Sequence, residues 1–511
     1  MPRAKATAFS KILGIVIIAV AVIFGVRYLN KSGLIEKIAP SAKKGTVAVS
    51  KAGKGDVIKV GVVTWGGYAG GQYFNGGFKA SKESRFYTEY GILVEFVVLD
   101  DFNASRAAWK ADQVNLQWIT ADAFPTEAGS LAEYEPVILF QADWSRGGDA
   151  IVVRKGINTV ADLKGKKISV AYGTPSHTFI LWMLEAGNLT PGDVTLVEVA
   201  SAIDAAAMFK SGNVDAAVVW SPDDQDCVTK VSGAKVLKST REATNIIADV
   251  FYAKKKWAEA NEQCLHGLVE GWLRGAAEIN TSAEAKQKAA EILSQGLNQD
   301  VGFCLGAINN ARLCTFGDNK SFFNILGCNA CVSGEQLYSK MSETYMRVGL
   351  IKTPPPNWRL VTYTAILRGI TLSGPSNEAE PMMTFTKATQ AEASASAFAV
   401  KPVSIVFSSG SSALDGNAQY IIDKDVAPTL KAFGNSRIRV EGNTDIVGGR
   451  DMNVSLSRKR AQSAIQYLVA THGFDQNRFI AVGNGPDKPV ATNETDGGRA
   501  QNRRTEFQFL N

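Results

Sequence analysis

At 511 residues the chain is too long for one hydrophobic core and predicts two or three domains. Its formal net charge is +6, yet residues 1–55 hold ten Lys or Arg against a single acid, Glu36, which leaves the remainder at −3. Basicity gathered around one apolar stretch argues against nucleic acid as a partner and for anionic lipid head groups.

That stretch is 12–26, ILGIVIIAVAVIFGV, without charge or proline and bounded by Lys11 and Arg27. It is short for a span, but Phe9, Tyr28 and Leu29 lengthen it and the flanking cations can snorkel. The small-x-small pattern nearest to it, Ala39-Pro40-Ser41, lies far downstream and contains proline, which disfavours cleavage. Residues 1–30 are therefore expected to be an uncleaved single-pass membrane helix; that the membrane is the inner one, with the bulk of the chain in the periplasm, is what the domain resemblances of the later segments imply. The alternative is a signal peptide removed to leave a soluble periplasmic protein. Lys and Arg fall on both sides of the stretch, so the positive-inside count does not set the orientation. Residues 31–55, rich in Lys, Ser, Gly and Ala, read as a linker.

From 56 to 372 short apolar strands (58–63, 92–99, 151–153, 167–171, 216–220) alternate with amphipathic helical stretches (104–110, 179–186, 203–210), the pattern of an α/β domain. Residues 254–298 read as helical and close it. The segment VADLKGKKISVAYGTPSHTFILWMLEAGNLTPGDVTLVEV, followed by AAAMFKSGNVDAAVVWSP, resembles periplasmic solute-binding proteins of the nitrate, sulfonate and thiamine-precursor type. The resemblance implies a type II periplasmic-binding-protein-like fold, in which two α/β lobes close over a small-molecule solute, and an ABC permease as a further partner.

In such a fold the solute sits at the carboxyl ends of the strands. There the sequence offers Trp65, Gly67 and Tyr68 after the first strand, Thr174, Ser176 and His177 at a helix start, and Trp220 and Asp223 after a later strand. Glycine admits close backbone approach, the rings can stack, and a helix start favours an anion. Against this, Trp65 also fits core packing, His177 an ordinary helix-start residue, and Asp223 with Asp224 a solvated loop. Asp100, Asp101 and Asp122 would suit a cationic amine; the balance favours an anionic solute.

All six cysteines fall between Cys227 and Cys331. In an exported domain the set Cys227, Cys264, Cys304, Cys314, Cys328 and Cys331 reads as up to three disulfides, with Cys304/Cys314 and Cys328/Cys331 the expected pairs. A four-thiolate zinc site lacks its second short knuckle, and free buried thiols are the remaining reading. Three histidines, with no G-x-S-x-G or phosphate-loop pattern, give catalysis no footing, and neither metal nor cofactor is expected.

Residues 373–401 are of low complexity and read as a flexible linker. From 402 to the end the pattern is βαβαββ: strands at 403–407, 438–441, 479–482 and 504–509, helices at 418–433 and 456–469. This is an α+β sandwich. Within it Thr444-Asp445, Asn453, Leu456-Ser457, Arg460-Ala461, the Gly483-Asn484-Gly485 before a proline, and the run GRAQNRR at 498–504 fall in the order of the OmpA/MotB C-terminal family, which this segment resembles over about 110 residues. The resemblance implies peptidoglycan as a partner, with the diaminopimelate of the stem peptide held by Asp445 and Arg460 and braced by Thr444, Asn453 and Arg503. An acid facing an arginine suits that ligand's zwitterionic carbon, which carries ammonium and carboxylate together. The family's histidine before Thr-Asp is Asn443 here. A structural cell-envelope protein, whose middle domain is a spacer or docking module, is the alternative to a wall-tethered receptor.

Overall fold

The computed structural model describes residues 56–405, 407–408 and 410–510. The apolar segment at 12–26 and the linker 31–55 lie outside the described residues, and among these no helix is long and apolar enough to cross a membrane.

The chain builds one lobe, crosses to a second and returns. Strands β1 (Val57–Val62), β2 (Leu93–Val98), β3 (Leu116–Thr120) and β4 (Pro136–Ser145) begin lobe 1. Strands β5 (Asp149–Val153), β6 (Lys167–Ala171), β7 (Thr195–Val199), β8 (Ala216–Trp220) and β9 (Lys235–Ser239) make lobe 2, in the order β7-β6-β8-β5-β9. The return strands β10 (Ala248–Lys254) and β11 (Ala311–Leu313) complete lobe 1 as β11-β4-β10-β3-β1-β2. Only 146–148 and 240–247 join the sheets within these crossings, so the lobes share a two-stranded hinge.

Lobe 1 is cemented by aromatic packing. Trp272, on helix Glu262–Thr281, meets Phe96, Phe140 and Phe251 at ring-centroid distances of 5.6, 5.1 and 4.8 Å. In lobe 2, helix Pro175–Ala186 buries every residue but Glu185. A helix apolar all round must be covered on all sides. Here β5, β6 and β8 cover one side and the C-terminal domain another.

That domain contains β12 (Ala399–Val403), β13 (Arg437–Asn443), β14 (Phe479–Gly485) and β15 (Thr505–Leu510), ordered β12-β15-β13-β14. Helix Arg450–His472 crosses the β13–β14 pair, with the backbone of Val454 and Ser457 against Gly442 and Gly483. The expected strand at 403–407 is displaced to β12, because pairing with β15 starts at Ala399 opposite Phe509.

Residues 373–398, expected to be a flexible tether, are held at several points. Arg439 Nη1 donates to the carbonyls of Ala393 and Ala395, both at 2.9 Å, and Arg437 binds Glu392 at 3.1 Å. Arg146 reaches Glu380 at 2.8 Å. The Arg439 contacts use backbone carbonyls and the other two use partners far away in sequence, neither of which local composition registers.

Of the expected disulfides, Cys328 and Cys331 stand at bonding distance, with Cα atoms 5.4 Å apart. Cys304 and Cys314 do not pair: each thiol faces a different apolar cluster, one beneath helix Val301–Asn309 and one in the main core. Cys227 is likewise a buried thiol, and Cys264 is partly buried outside any disulfide.

Candidate functional site

The interlobe cleft narrows at the hinge to a cavity of about 60 Å³. Trp65, Tyr68, Trp118 and Trp220 supply its rings, and Asp149 and Asp249 its charges. Three of those rings, Trp65, Tyr68 and Trp220, are sequence-predicted. Gly67 lies outside the cavity lining, and a side chain there would collide with the Asp143 carboxylate and the Trp65 ring nitrogen. At the helix start only Pro175 lines the cavity. Thr174 spends its hydroxyl on the carbonyl of Ala171 at 2.8 Å, and Ser176 Oγ is buried without a partner. His177 stacks on Tyr172 with centroids 4.4 Å apart, and burial lowers its pKa to about 4, which makes it a neutral packing group. Asp223 heads helix Asp223–Lys230 away from the cavity lining.

The residues the sequence reading passed over are the acids of the hinge. Asp143 near the end of β4 pairs in register with Asp249 at the start of β10, while Asp149 opens β5. All three are buried, as is Asp122. Tyr68 donates to Asp249 at 2.6 Å and Trp65 Nε1 to Asp143 at 3.1 Å. Ser145 Oγ bonds Asp149 at 2.9 Å, and the amide of Ala248 bonds Asp122 at 3.2 Å. Burial raises Asp122 and Asp149 to about 7 and Asp143 to about 8, and Asp249 is raised as well, with its neighbouring acids adding to the effect. Like charges about 4 Å apart repel by roughly 4 kcal/mol at an effective dielectric near 20, so the group sheds charge by holding protons. Arg106 lies over the Trp118 ring at 5.1 Å and is forked onto Glu127 at 2.8 and 2.9 Å.

In the C-terminal domain the loop after β13 presents Asp445. Arg503 binds its carboxylate at 2.6 Å, and its other oxygen accepts from the amide of Val447 at 3.0 Å. Arg460 rests on the Phe407 ring at 4.8 Å and donates to the carbonyl of Ser411 at 3.0 Å. Burial and the Arg503 charge lower its pKa while Asp445 raises it, so the three groups share one field. Thr444 donates to the Asp445 carbonyl at 2.9 Å, and Asn453 donates to the Val447 carbonyl at 3.0 Å. Asn443 is buried and accepts from Asn484 at 3.0 Å. Exposed Ile446, Val447 and Met452 form an apolar rim beside Asp445.

Comparison with known proteins matches each half separately. Residues 76–285 match the NMT1/THI5 like family and residues 406–503 the OmpA family. The probable lipoprotein YiaD of Escherichia coli is 44% identical over 82 residues, 16% of this chain and 37% of that protein. The peptidoglycan-binding protein ArfA of Mycobacterium tuberculosis is 41% identical over 90 residues, 18% of this chain and 27% of ArfA. The chain thus spans well under two thirds of either relative. Among solved structures, the periplasmic aliphatic sulphonate binding protein SsuA from Escherichia coli superposes with a TM-score of 0.48 at 16% identity, covering 65% of this chain and 97% of that one. The chain joins an NMT1/THI5-like domain to a C-terminal domain of the OmpA family.

Proposed function

We propose that this protein is a small-solute receptor of the cell envelope, fixed non-covalently to peptidoglycan by its C-terminal domain and to the inner membrane by the segment at 12–26. The observation that carries the wall-binding half is one carboxylate, Asp445, in the field of two guanidinium groups, Arg503 and Arg460. That set carries a net positive charge and meets a zwitterion at both poles, the ligand's carboxylate on the arginines and its ammonium on the acid. The similarity to a peptidoglycan-binding protein supports the same ligand. The hinged cleft, ringed with aromatic side chains, supports the receptor half. Delivery of the solute to an ABC permease is the corresponding transport role.

Co-sedimentation with isolated sacculi tests the wall-binding reading. The intact protein is expected in the pellet, and Asp445→Ala combined with Arg460→Ala is expected to return it to the supernatant. Undiminished pelleting of that variant contradicts the proposal.

A second reading, a spacer without solute binding, draws on the narrowness of the cavity at about 60 Å³. A thermal-shift screen separates the two, because a ligand that binds only the folded state raises the melting temperature with the logarithm of its concentration above Kd.

A further inference from the structure

We propose that the interlobe cavity takes a compact organic cation, an ammonium seated against Asp149 and Asp249 within the ring of Trp65, Tyr68, Trp118 and Trp220. The inference rests on the receptor reading above and reverses the sign of solute that the sequence suggests.

Three observations lead to it. First, the cavity lining contains no Lys, Arg or His, and Arg106 behind Trp118 is already forked onto Glu127. An anion entering here would meet carboxyls and the negative faces of aromatic rings. Second, the acids hold unused hydrogen-bonding capacity. Asp149, only 5% exposed, lines the cavity with Oδ1 lacking a hydrogen bond of ordinary geometry, and Asp143 Oδ1 and Asp122 Oδ2 are buried in the same condition. Buried polar atoms are ordinarily satisfied, so the unpaired oxygen of Asp149, the one of the three that lines the cavity, marks where a partner belongs. Third, aromatic faces from both lobes surround those acceptors: Trp65, Tyr68 and Trp118 from lobe 1 and Trp220 from lobe 2. Carboxyls among such rings are the chemistry that recognises an ammonium. About 60 Å³ holds roughly four waters and therefore a ligand of only a few heavy atoms.

Binding then has a protonic signature. Asp149 faces Ser145 and Trp220; Asp249 faces Tyr68, Asp143, Asp122 and Asp149; Asp143 also faces Trp65 and Asp149; Tyr68 in turn feels Arg106. Burial raises both cavity carboxyls, Asp149 to about 7, so an arriving ammonium displaces protons and its affinity rises as pH climbs through about 7.

Calorimetric titration of the intact protein with ethylammonium and tetramethylammonium chlorides, and with sodium ethanesulfonate and nitrate, tests the proposal. Saturable binding of one of the cations is expected, with proton release visible as a buffer-dependent heat. Asp149→Asn, which keeps the shape of the protonated acid, is expected to weaken that binding by about tenfold or more. Trp220→Leu, which removes a ring face of lobe 2 and the indole N–H beside Asp149, is expected to weaken it as well. Binding of ethanesulfonate or nitrate alone overturns the cation proposal and leaves the receptor standing. Binding of none of the four overturns both. Cation binding unchanged by both substitutions overturns the assigned site.

Discussion

Asp122, Asp143 and Asp149 make the hinge a pH-responsive part of the molecule. Each ionises near pH 4 in an unfolded chain, but at about 7 or 8 in the fold, because burial penalises the charge. The folded state therefore holds more protons across that interval. The stability these groups confer is full below about pH 4 and is lost as pH rises toward about 8. His177 runs the other way: burial lowers it to about 4, so its contribution is full above about pH 6.5 and is lost on acidification. From about pH 6.5 to 8 the carboxyls dominate, and the melting temperature of the ligand-free protein is expected to fall by several degrees. A melting temperature that holds or rises over that window contradicts the protonation assigned to them. Asp122 was readable as a candidate for a cationic amine, whereas Asp143 and Asp149 were legible only as charges inside otherwise apolar strands, as in the fully buried run of β4. Rings that follow a strand, Trp65, Tyr68 and Trp220, were read from local pattern alone. The acids needed the β4–β10 register, which no local pattern contains.

At the scale of elements, the C-terminal domain depends on close approach of a helix to a sheet. A Cβ on Gly442 would strike the Ser457 carbonyl, and one on Gly483 the Val454 carbonyl, both within helix Arg450–His472. Because the obstacle is backbone, the helix must shift as a body. Gly442→Ala is expected to destabilise the domain by about 1–3 kcal/mol in chemical denaturation, and a variant as stable as the parent contradicts the packing described. The helix runs from 450 rather than from the 456 expected of its pattern. Its first turns are polar and mostly exposed, so hydrophobic periodicity, the signal of a core-facing helix, begins late. The mostly apolar sequence of helix Pro175–Ala186 is the counterpart. Its apolar run was visible, but a second covering layer from another domain was not.

At the scale of the molecule, the C-terminal domain packs on lobe 2 instead of swinging free. The amide of Val160 donates to the Phe398 carbonyl at 3.0 Å, and that of Asn245 to the Ala432 carbonyl at 3.1 Å. Glu185 clamps the same boundary between Lys340 at 2.8 Å and Lys401 at 3.1 Å. Burial alone would raise its pKa, but Lys401 and Lys340 overcome that and hold it at about 2. Its contribution is therefore full above about pH 4.5 and lost as pH falls toward about 2. Glu185→Gln leaves Lys401 with Thr429 as its remaining partner and is expected to cost about 1–3 kcal/mol. Faster proteolysis within 373–398 is the accompanying readout, and unchanged cleavage contradicts a clamping role. Domain order and both family resemblances were readable from motifs, whereas this docking rests on a few side chains about two hundred residues apart.

The most direct test of the central claim, that Asp445 and its arginines grip the wall peptide, is calorimetric titration of the intact protein with a soluble muropeptide containing meso-diaminopimelate. Saturable one-to-one binding is expected, weakened about tenfold or more by Asp445→Ala at an unchanged melting temperature. Equal affinity of the variant and the parent, or no binding by the parent, would contradict the account.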